Sequence, residues 1–236
     1  MEVLASSLES SRSLPARLKI IETAERLYAL HGIDAVSIRE INKAAGQRNG
    51  SAVQYHFGNR EGLIEAIFAL RTRARNNQRF LMLHRLKEAA GPAGPALRDV
   101  VEVMVVPMFE GLRIGQRSYQ GRFIKQVHQR HATIRGILSK GYDMGLRECF
   151  RLIRDQHTQT PMPVLTRRYV HGTAIALDAA ALLEELIEQG DPAPTETDMR
   201  FHLACCIDSI TALYQAPVSD ALMTLAPQVS NPQASP

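Results

Sequence analysis

The 236-residue sequence predicts an all-α protein, and three observations support that prediction. Apolar residues recur at helical spacing in every long segment, as they do along the buried face of an amphipathic helix. Glycine and proline stand between these segments, at positions where helices end. No segment shows the alternation that is typical of a half-buried β-strand. We therefore expect about nine or ten helices.

The composition is that of a globular protein. Apolar residues make up 45% of the chain, which is enough to bury a sizeable core. No apolar run approaches the roughly 18 residues of a membrane span, and the mean hydropathy is −0.15. We expect a cytoplasmic protein with no membrane partner.

The three cysteines indicate a reducing compartment. Cys149, Cys205 and Cys206 are odd in number and include an adjacent pair, which makes a poor disulfide framework. No further ligands stand at zinc spacing beside the pair. We interpret these cysteines as small apolar core residues, with redox sensing as the lesser alternative.

The chain begins with an arm and a first helix. Residues 1–14 contain acids and serines without the basic start and apolar centre of a signal peptide, and we predict a disordered arm. The first helix is expected to begin near Pro15, because proline is tolerated in a first turn. It should end at His31, before Gly32.

Residues 37–60 carry two short helix signals about a tight break. Ser37 and Glu40 form a capping box, so a helix should begin at Ile38. Gly46 should end that helix, because a residue without Cβ adopts the left-handed conformation at low cost. The turn covers residues 47–50, and a second helix follows over 51–57. This pattern is typical of a helix-turn-helix.

The second of these helices separates apolar from polar residues. Ala52, Val53 and Phe57 can pack inward, and the polar side chains that remain can face a nucleic acid. The predicted DNA-binding residues are Ser37, Arg39, Arg48, Asn49, Ser51, Gln54, Tyr55, His56 and Arg60. From spacing alone, a small three-helix unit with exposed polar residues is an equal alternative.

The segment from Arg17 to Leu70 resembles the DNA-binding domain of the tetracycline-repressor (TetR) family of bacterial transcription regulators. The resemblance lies in IIETAERLYALHG, VSIREINKAAG, the stretch ending YHF, and GNREGLIEAIF, in that order. It implies a homodimer whose paired recognition helices enter adjacent major grooves of a double-stranded operator. It also implies a helical C-terminal domain that binds a small-molecule effector and forms the dimer.

Two departures from the family pattern bear on base reading. The spacing from Gly46 to Phe57 is one residue longer than usual, which lengthens the turn before the recognition helix. Gln54 stands where the family commonly has tyrosine, and Arg60 replaces the usual lysine. We expect Gln54 to read a base and Arg60 to contact phosphate.

The charge distribution agrees with an N-terminal DNA-binding face. Residues 11–75 carry 11 Lys and Arg against six Asp and Glu, within a chain of net charge +4. Residues 112–154 carry ten against two, and residues 155–236 carry three against ten. We interpret the basic middle as a solvated face or a partner for the acidic third; part of an anionic ligand site is the less favoured alternative.

The rest of the chain divides at residues 91–95, GPAGP, which should break any helix. Asn59 should cap a connector helix, so the predicted regions are a helix-turn-helix domain over 15–60 and a connector over 61–90. A helical ligand-binding and dimerisation domain follows over 91–216, with a mostly disordered tail over 217–236. Helices are expected over 96–112, 119–130, 132–157, 164–189 and 196–215.

Met and aromatic side chains in the second domain can line a pocket, although such residues more often form a plain helical core. The candidate ligand residues are Met104, Met108, Phe109, Tyr119, Phe123, Tyr142, Phe150, His171 and Asp178. His171 and Asp178 share one face of a helix and can face inward or pair across a dimer. The last two long helices are the predicted dimer interface; the alternative is that they cover the monomer core.

No motif of an enzyme is present, and we predict no catalytic residue, metal or cofactor. His128 and His131 are spaced for one helix face but lack a carboxylate on the adjacent turn, so a solvated face is favoured over a metal site. The leading hypothesis is a repressor that a small, hydrophobic ligand releases from its operator. The alternatives are a regulator or activator controlled by a protein partner, and a helical enzyme or binding protein.

Overall fold

This computed structural model describes the backbone of residues 2–228 and the side chains of residues 14–227. Eleven α-helices occur in that part of the chain, and short 3₁₀ helices cover Gly91–Ala93 and Ala226–Gln228. The helices are α1 (Glu2–His31), α2 (Ile38–Ala44), α3 (Ala52–Phe57), α4 (Arg60–Ala90), α5 (Leu97–Phe109), α6 (Gln120–Gln129), α7 (His131–Leu138), α8 (Met144–Gln156), α9 (Met162–Gln189), α10 (Glu196–Gln215) and α11 (Asp220–Leu225). The all-α prediction is confirmed.

The ends of the chain differ from the sequence-based prediction. Helix α1 begins at Glu2, where an arm was expected before Pro15. Helix α11 lies within the predicted tail. Met1 of the predicted arm and residues 229–236 of the predicted tail lie outside the described residues.

The chain forms two compact units, and their boundaries are not those expected. The first unit comprises residues 1–74 and 118–142, and the second comprises residues 75–117 and 143–236. Helices α6 and α7, which the sequence placed in the C-terminal domain, therefore belong to the unit that holds the helix-turn-helix. Helix α4 contributes its first half to one unit and its second half to the other.

The first unit has an apolar core around α1. Ile20, Ile21 and Tyr28 of α1 are fully buried, together with Leu63 and Ile64 of α4. Helix α1 packs against α2 and α6. This core fixes α1 and α4, which are the supports of the two short helices between them.

Ion pairs also attach the segment 118–142 to the first unit. Arg130 binds the carboxylate of Asp34 at 2.5 Å, and Lys140 Nζ lies 2.6 Å from Glu65 Oε2. The basic middle of the sequence thus finds partners near the N-terminus as well as within itself. Arg117 Nε also lies 3.7 Å from Glu188 Oε1, an ion pair of the kind predicted between this basic stretch and the acidic third.

The predicted single helix over 132–157 is two helices. Helix α7 ends at Leu138 and α8 begins at Met144. Gly141, between them, has a φ of 80°, a value that ends a helix. The chain passes from the first unit to the second at this break.

His128 is half-buried in the first unit, although the sequence favoured a solvated face. Its ring centroid lies 6.5 Å from that of Phe68, and burial lowers the pKa of the imidazole to about 4. The neutral ring is therefore the form present in the folded protein at pH 7.

The buried imidazole predicts a loss of stability in acid. An unfolded histidine titrates near pH 6.5, so between about pH 6.5 and pH 4 the unfolded state binds the extra proton and unfolding becomes easier. We expect the melting temperature of the wild type to fall more steeply over this interval than that of His128→Gln. The exposed His131→Gln variant is the control and should follow the wild type. Parallel acid profiles for His128→Gln and wild type would contradict a buried neutral imidazole.

The second unit is built from α5, α8, α9 and α10. Helix α10 packs against α9 and α5, and α5 packs against α8. The bounds of α10, Glu196–Gln215, match the prediction. A capping box of Thr195 and Asp198 starts this helix, since each side chain bonds the other's backbone N–H.

Membrane spans, metal-ligand clusters and the state of the cysteines can be examined in the described residues. None of the helices described has the length and apolar character of a membrane span. No group of three or more potential metal ligands occurs in the described part of the chain. All three cysteines are free; Cys149 and Cys206 are buried, and Cys205 is exposed.

Candidate nucleic-acid interface

Local hydrogen bonds define the start of α2 as predicted. The Ser37 hydroxyl accepts from the Glu40 backbone N–H at 3.2 Å, and the Ser37 backbone N–H donates to Glu40 Oε2 at 2.7 Å. Hydrogen bonding to Ser37 lowers the pKa of the Glu40 carboxyl. Gly46, with a φ of 68°, follows the helix as expected. The capping box and the glycine stop are both confirmed.

Asn42 ties the turn to α2, and sequence reasoning missed it. The side chain is 2% exposed. Its Nδ2 donates to the carbonyl of Gly50 at 2.5 Å, and its Oδ1 accepts from the backbone N–H of Val53 at 3.2 Å. One side chain therefore supplies hydrogen-bond partners for a backbone carbonyl at the end of the turn and a backbone N–H at the start of α3. The sequence did hold a signal, because asparagine is unfavourable in the interior of a helix and Asn42 stands beside the apolar Ile41.

The start of α3 depends on Asn49. Its Oδ1 accepts from the Ser51 backbone N–H at 3.0 Å and from the Ser51 hydroxyl at 2.7 Å. Ser37, Asn49 and Ser51, all predicted to contact DNA, are therefore hydrogen-bonded within the motif. Their geometry shapes the longer turn between the two helices.

Helix α3 buries one side and exposes the other. Ala52 and Val53 are buried, as predicted, while Phe57 is half-buried with the Arg17 guanidinium 5.0 Å from its ring centroid. Gln54 is exposed, and Tyr55 is 81% exposed. The rings of Tyr55 and His56 meet edge to face at 4.9 Å. Gln54 and Tyr55 are thus available for contact with a ligand.

The predicted arginines occupy different environments. Arg39 and Arg48 are exposed, whereas Arg60 is half-buried and donates a hydrogen bond from Nη1 to the carbonyl of Ile33. Arg60 thus supports the start of α4 as well as carrying charge. Arg39 and Arg48 are therefore the arginines of this surface whose side chains are exposed to solvent.

The junction of α3 with α4 is tight. Asn59 caps α4 as predicted, since its Oδ1 accepts from the Gly62 backbone N–H at 2.8 Å. A Cβ at Gly62 would lie 2.1 Å from the Phe57 carbonyl oxygen, so only glycine fits there. We call the surface formed by Arg39, Arg48, Gln54, Tyr55 and His56 the α2–α3 surface.

The nine candidate ligand residues are divided between the two units. Tyr119, Phe123 and Tyr142 lie in the first unit, where Phe123 stacks on Tyr28 at 6.3 Å. The Tyr142 hydroxyl bonds Glu65 at 3.2 Å. These three residues serve the packing of the first unit, because α6 and the chain after α7 fold back onto α1 and α4.

The other six candidates lie in the second unit. Met104, Met108 and Phe109 of α5 are buried, and Phe150 of α8 is half-buried, with its ring centroid 4.9 Å from that of Tyr169. His171 and Asp178 are exposed on α9.

Comparisons with known proteins agree with this geometry. Residues 20–67 match the family described as bacterial regulatory proteins, tetR family. The HTH-type transcriptional repressor AcnR of Corynebacterium glutamicum is 36% identical over 52 residues, which are 22% of this chain and 27% of that repressor. The chain therefore matches about a quarter of that relative's length.

The fold extends the likeness along the chain. A solved structure from Shewanella sp. PV-4, assigned to the tetR family of transcription regulators, superposes with a TM-score of 0.56 at 16% identity. The match covers 84% of this chain and 95% of that one. At this identity the likeness concerns the fold alone.

Proposed function

Because the chain belongs to the tetR family of bacterial regulatory proteins, we propose that it is a transcription regulator that binds a pseudopalindromic operator as a homodimer. The observation that carries the proposal is the exposed pair Gln54 and Tyr55 on a helix anchored by Asn42. The family is one of regulatory proteins, as expected for a chain predicted not to be an enzyme. We favour repression of transcription over activation, since the AcnR protein is named a repressor.

The residues of the α2–α3 surface, and the predicted residues beside it, divide by role. Arg39 and Arg48 contact phosphates, because exposed guanidinium groups neutralise the DNA backbone without reading sequence. Gln54 reads a base, since its amide can pair with both hydrogen-bonding groups of an adenine edge. Tyr55 and His56 reach the groove beside it. Ser37, Asn49 and Ser51 hold the backbone in shape, and Arg60 combines a phosphate contact with its bond to Ile33.

Gln54→Ala is expected to relax sequence preference at one base position. The loss should be about 1–3 kcal/mol for the preferred base and close to zero for the others. Arg48→Ala should weaken all sequences alike and reduce the salt slope by about one. Binding of a panel of single-base operator variants at two salt concentrations measures both effects. Equal losses at every base for Gln54→Ala would remove Gln54 as a base reader.

The homodimer is proposed to form through α9 and α10. Both helices carry large apolar side chains on exposed faces, which a free surface rarely presents in such number. These residues are Val170, Ile175, Leu182, Leu186 and Phe201, with Phe201 71% exposed. Small residues such as Ala174, Ala204 and Ala212 are also exposed and permit close helix approach. Two copies would bury these faces in a four-helix bundle.

Ligand control is proposed to act in the second unit. The buried Met104, Met108 and Phe109 supply apolar lining for a small molecule. Helix α4 is continuous from Arg60 at the α2–α3 surface to Ala90 in the second unit. A ligand that shifts this helix would move the two helix-turn-helix motifs of the dimer out of phase with successive major grooves. The base contacts of one motif would then be lost.

Selection from a random DNA pool tests the proposal. The purified protein should enrich a two-fold symmetric sequence, and its affinity for that sequence should fall steeply between two salt concentrations. Enrichment of an asymmetric site would reject the symmetric dimer. No enrichment and no salt dependence would reject DNA binding.

A further inference from the structure

The second unit contains a buried arginine whose charge has no counterpart. Arg79 of α4 is 2% exposed and is the largest side chain among the fully buried residues. Its Nη2 donates to the Met104 carbonyl at 3.1 Å, and its Nη1 lies 3.5 Å from Asn76 Oδ1, which is at the limit of a hydrogen bond. Its Nε–H is buried without a partner among the described residues. A guanidinium has five N–H donors, so this one is under-used.

Two other arginines of the chain show what a satisfied site looks like. Arg71, two turns earlier on α4, binds both oxygens of Glu25, with Nε 2.8 Å from Oε1 and Nη2 2.5 Å from Oε2. Arg168, which is buried in the second unit, donates to the carbonyls of Tyr214, Ala216 and Pro217 at the end of α10. Arg79 has neither a carboxylate nor such a set of carbonyls.

The groups whose charges bear on Arg79 cannot neutralise it at pH 7. Burial lowers the pKa of Arg79 to about 10, so the guanidinium stays protonated. The two neighbouring acids are Cys149 and Tyr169. Burial raises the pKa of Cys149 to about 12 and also raises the pKa of Tyr169, so both are uncharged.

The carboxylates whose charges bear on Tyr169 and Cys149, Asp143 and Glu148, already have partners. Asp143 accepts from Arg147 Nε at 2.8 Å. Glu148, beside Cys149 in sequence, binds Arg151 and Lys87, and these bonds hold the pKa of its carboxyl at about 2. An uncompensated cation is costly in a buried site. Among the described residues no carboxylate bonds Arg79, so its counter-ion can come from outside the chain.

We propose that Arg79 anchors the carboxylate of the effector, and that this regulator responds to a small organic acid with an apolar body. The inference rests on the proposed function, since it assigns a chemical class to the ligand of the second unit. A planar guanidinium recognises a carboxylate through two parallel hydrogen bonds. Met104, whose carbonyl already bonds Arg79, and the aromatic pair Phe150 and Tyr169 bring apolar surface to the same region. Tyr214 adds a second buried polar atom without a partner, its hydroxyl oxygen.

A comparison of carboxylic acids with their amides separates the contribution of the anionic carboxylate from that of the apolar body. We expect octanoate and 4-phenylbutyrate, at millimolar concentration, to raise the melting temperature of the wild type, and octanamide and 4-phenylbutyramide to leave it unchanged. Arg79→Met should weaken acid binding at least about thirtyfold, because the bound carboxylate loses its partner. The melting temperature of free Arg79→Met should equal or exceed that of the wild type, because a buried uncompensated charge is removed.

Arg168→Met is the matched control. It removes a buried arginine from the same unit, but one whose bonds close the end of α10, so it should lower the melting temperature and keep the preference for acid over amide. If Arg79→Met fails to fold, Arg79→Lys retains the charge without the planar fork and should keep a weakened acid preference.

Three results would overturn the inference. They are equal shifts with acids and amides, no shift with either acid, and a loss of stability in Arg79→Met as large as that in Arg168→Met. The operator selection on the wild type is a separate measurement. DNA binding without an acid response would reject this inference alone, whereas an acid response without DNA binding would reject the proposed function.

Discussion

Asn42→Leu is expected to abolish sequence-specific DNA binding while leaving the second unit folded. Leucine has a similar volume but cannot replace the bonds to the Gly50 carbonyl and the Val53 N–H. Each buried backbone group left without a partner costs roughly 1–3 kcal/mol. The turn would loosen, and the exposed residues of α3 would lose their common orientation. The effect should exceed that of Gln54→Ala, which removes one base contact and keeps the helix in place.

Operator affinity at fixed salt measures the loss of binding. Amide hydrogen exchange at Val53, whose N–H loses its acceptor, should be faster in Asn42→Leu, which attributes the loss to the turn. Asn77→Leu, at an exposed position of α4, makes the same chemical change and should behave as the wild type. Unchanged operator affinity in Asn42→Leu would show that α3 keeps its position without this side chain.

Phe201→Glu combined with Leu182→Glu is expected to convert the dimer to a monomer. Both side chains are large, apolar and exposed, at 71% and 48%. At a two-fold interface both subunits contribute the same new carboxylates, so burial of charge and repulsion between like charges act together. A monomer engages one half-site at a time, and operator affinity should fall by about 10²–10⁴-fold.

Sedimentation analysis gives the oligomeric state, and binding to the full operator and to a half-site gives the affinity loss. Phe80→Glu, at an exposed phenylalanine of α4, is the control and should remain dimeric. The accessibility of the Cys205 thiol offers a second measurement of the oligomeric state, because this cysteine is exposed and lies on α10. A dimer that persists with both glutamates would place the subunit interface on another surface.

The sequence by itself determined the elements whose causes are local. The capping box of Ser37 and Glu40 and the Asn59 cap involve partners three residues apart, so their bonds can be read directly from spacing. Gly46 ends α2 through its own backbone conformation. The apolar faces of α1 and α3 follow from helical periodicity, and the order of the N-terminal motifs carried the resemblance to the tetR family.

Only the tertiary structure decided which distant residues meet. The partners of Asn42 lie 8 and 11 residues along the chain, and those of Arg130 and Lys140 lie 96 and 75 residues away. Spacing carries no record of such contacts, so the sequence could not show that α6 and α7 share a compact unit with the helix-turn-helix, or that Phe123 stacks on Tyr28. Arg79 is hidden for the same reason. An arginine in a helix is ordinarily solvated, and only packing by other helices makes its charge buried and uncompensated.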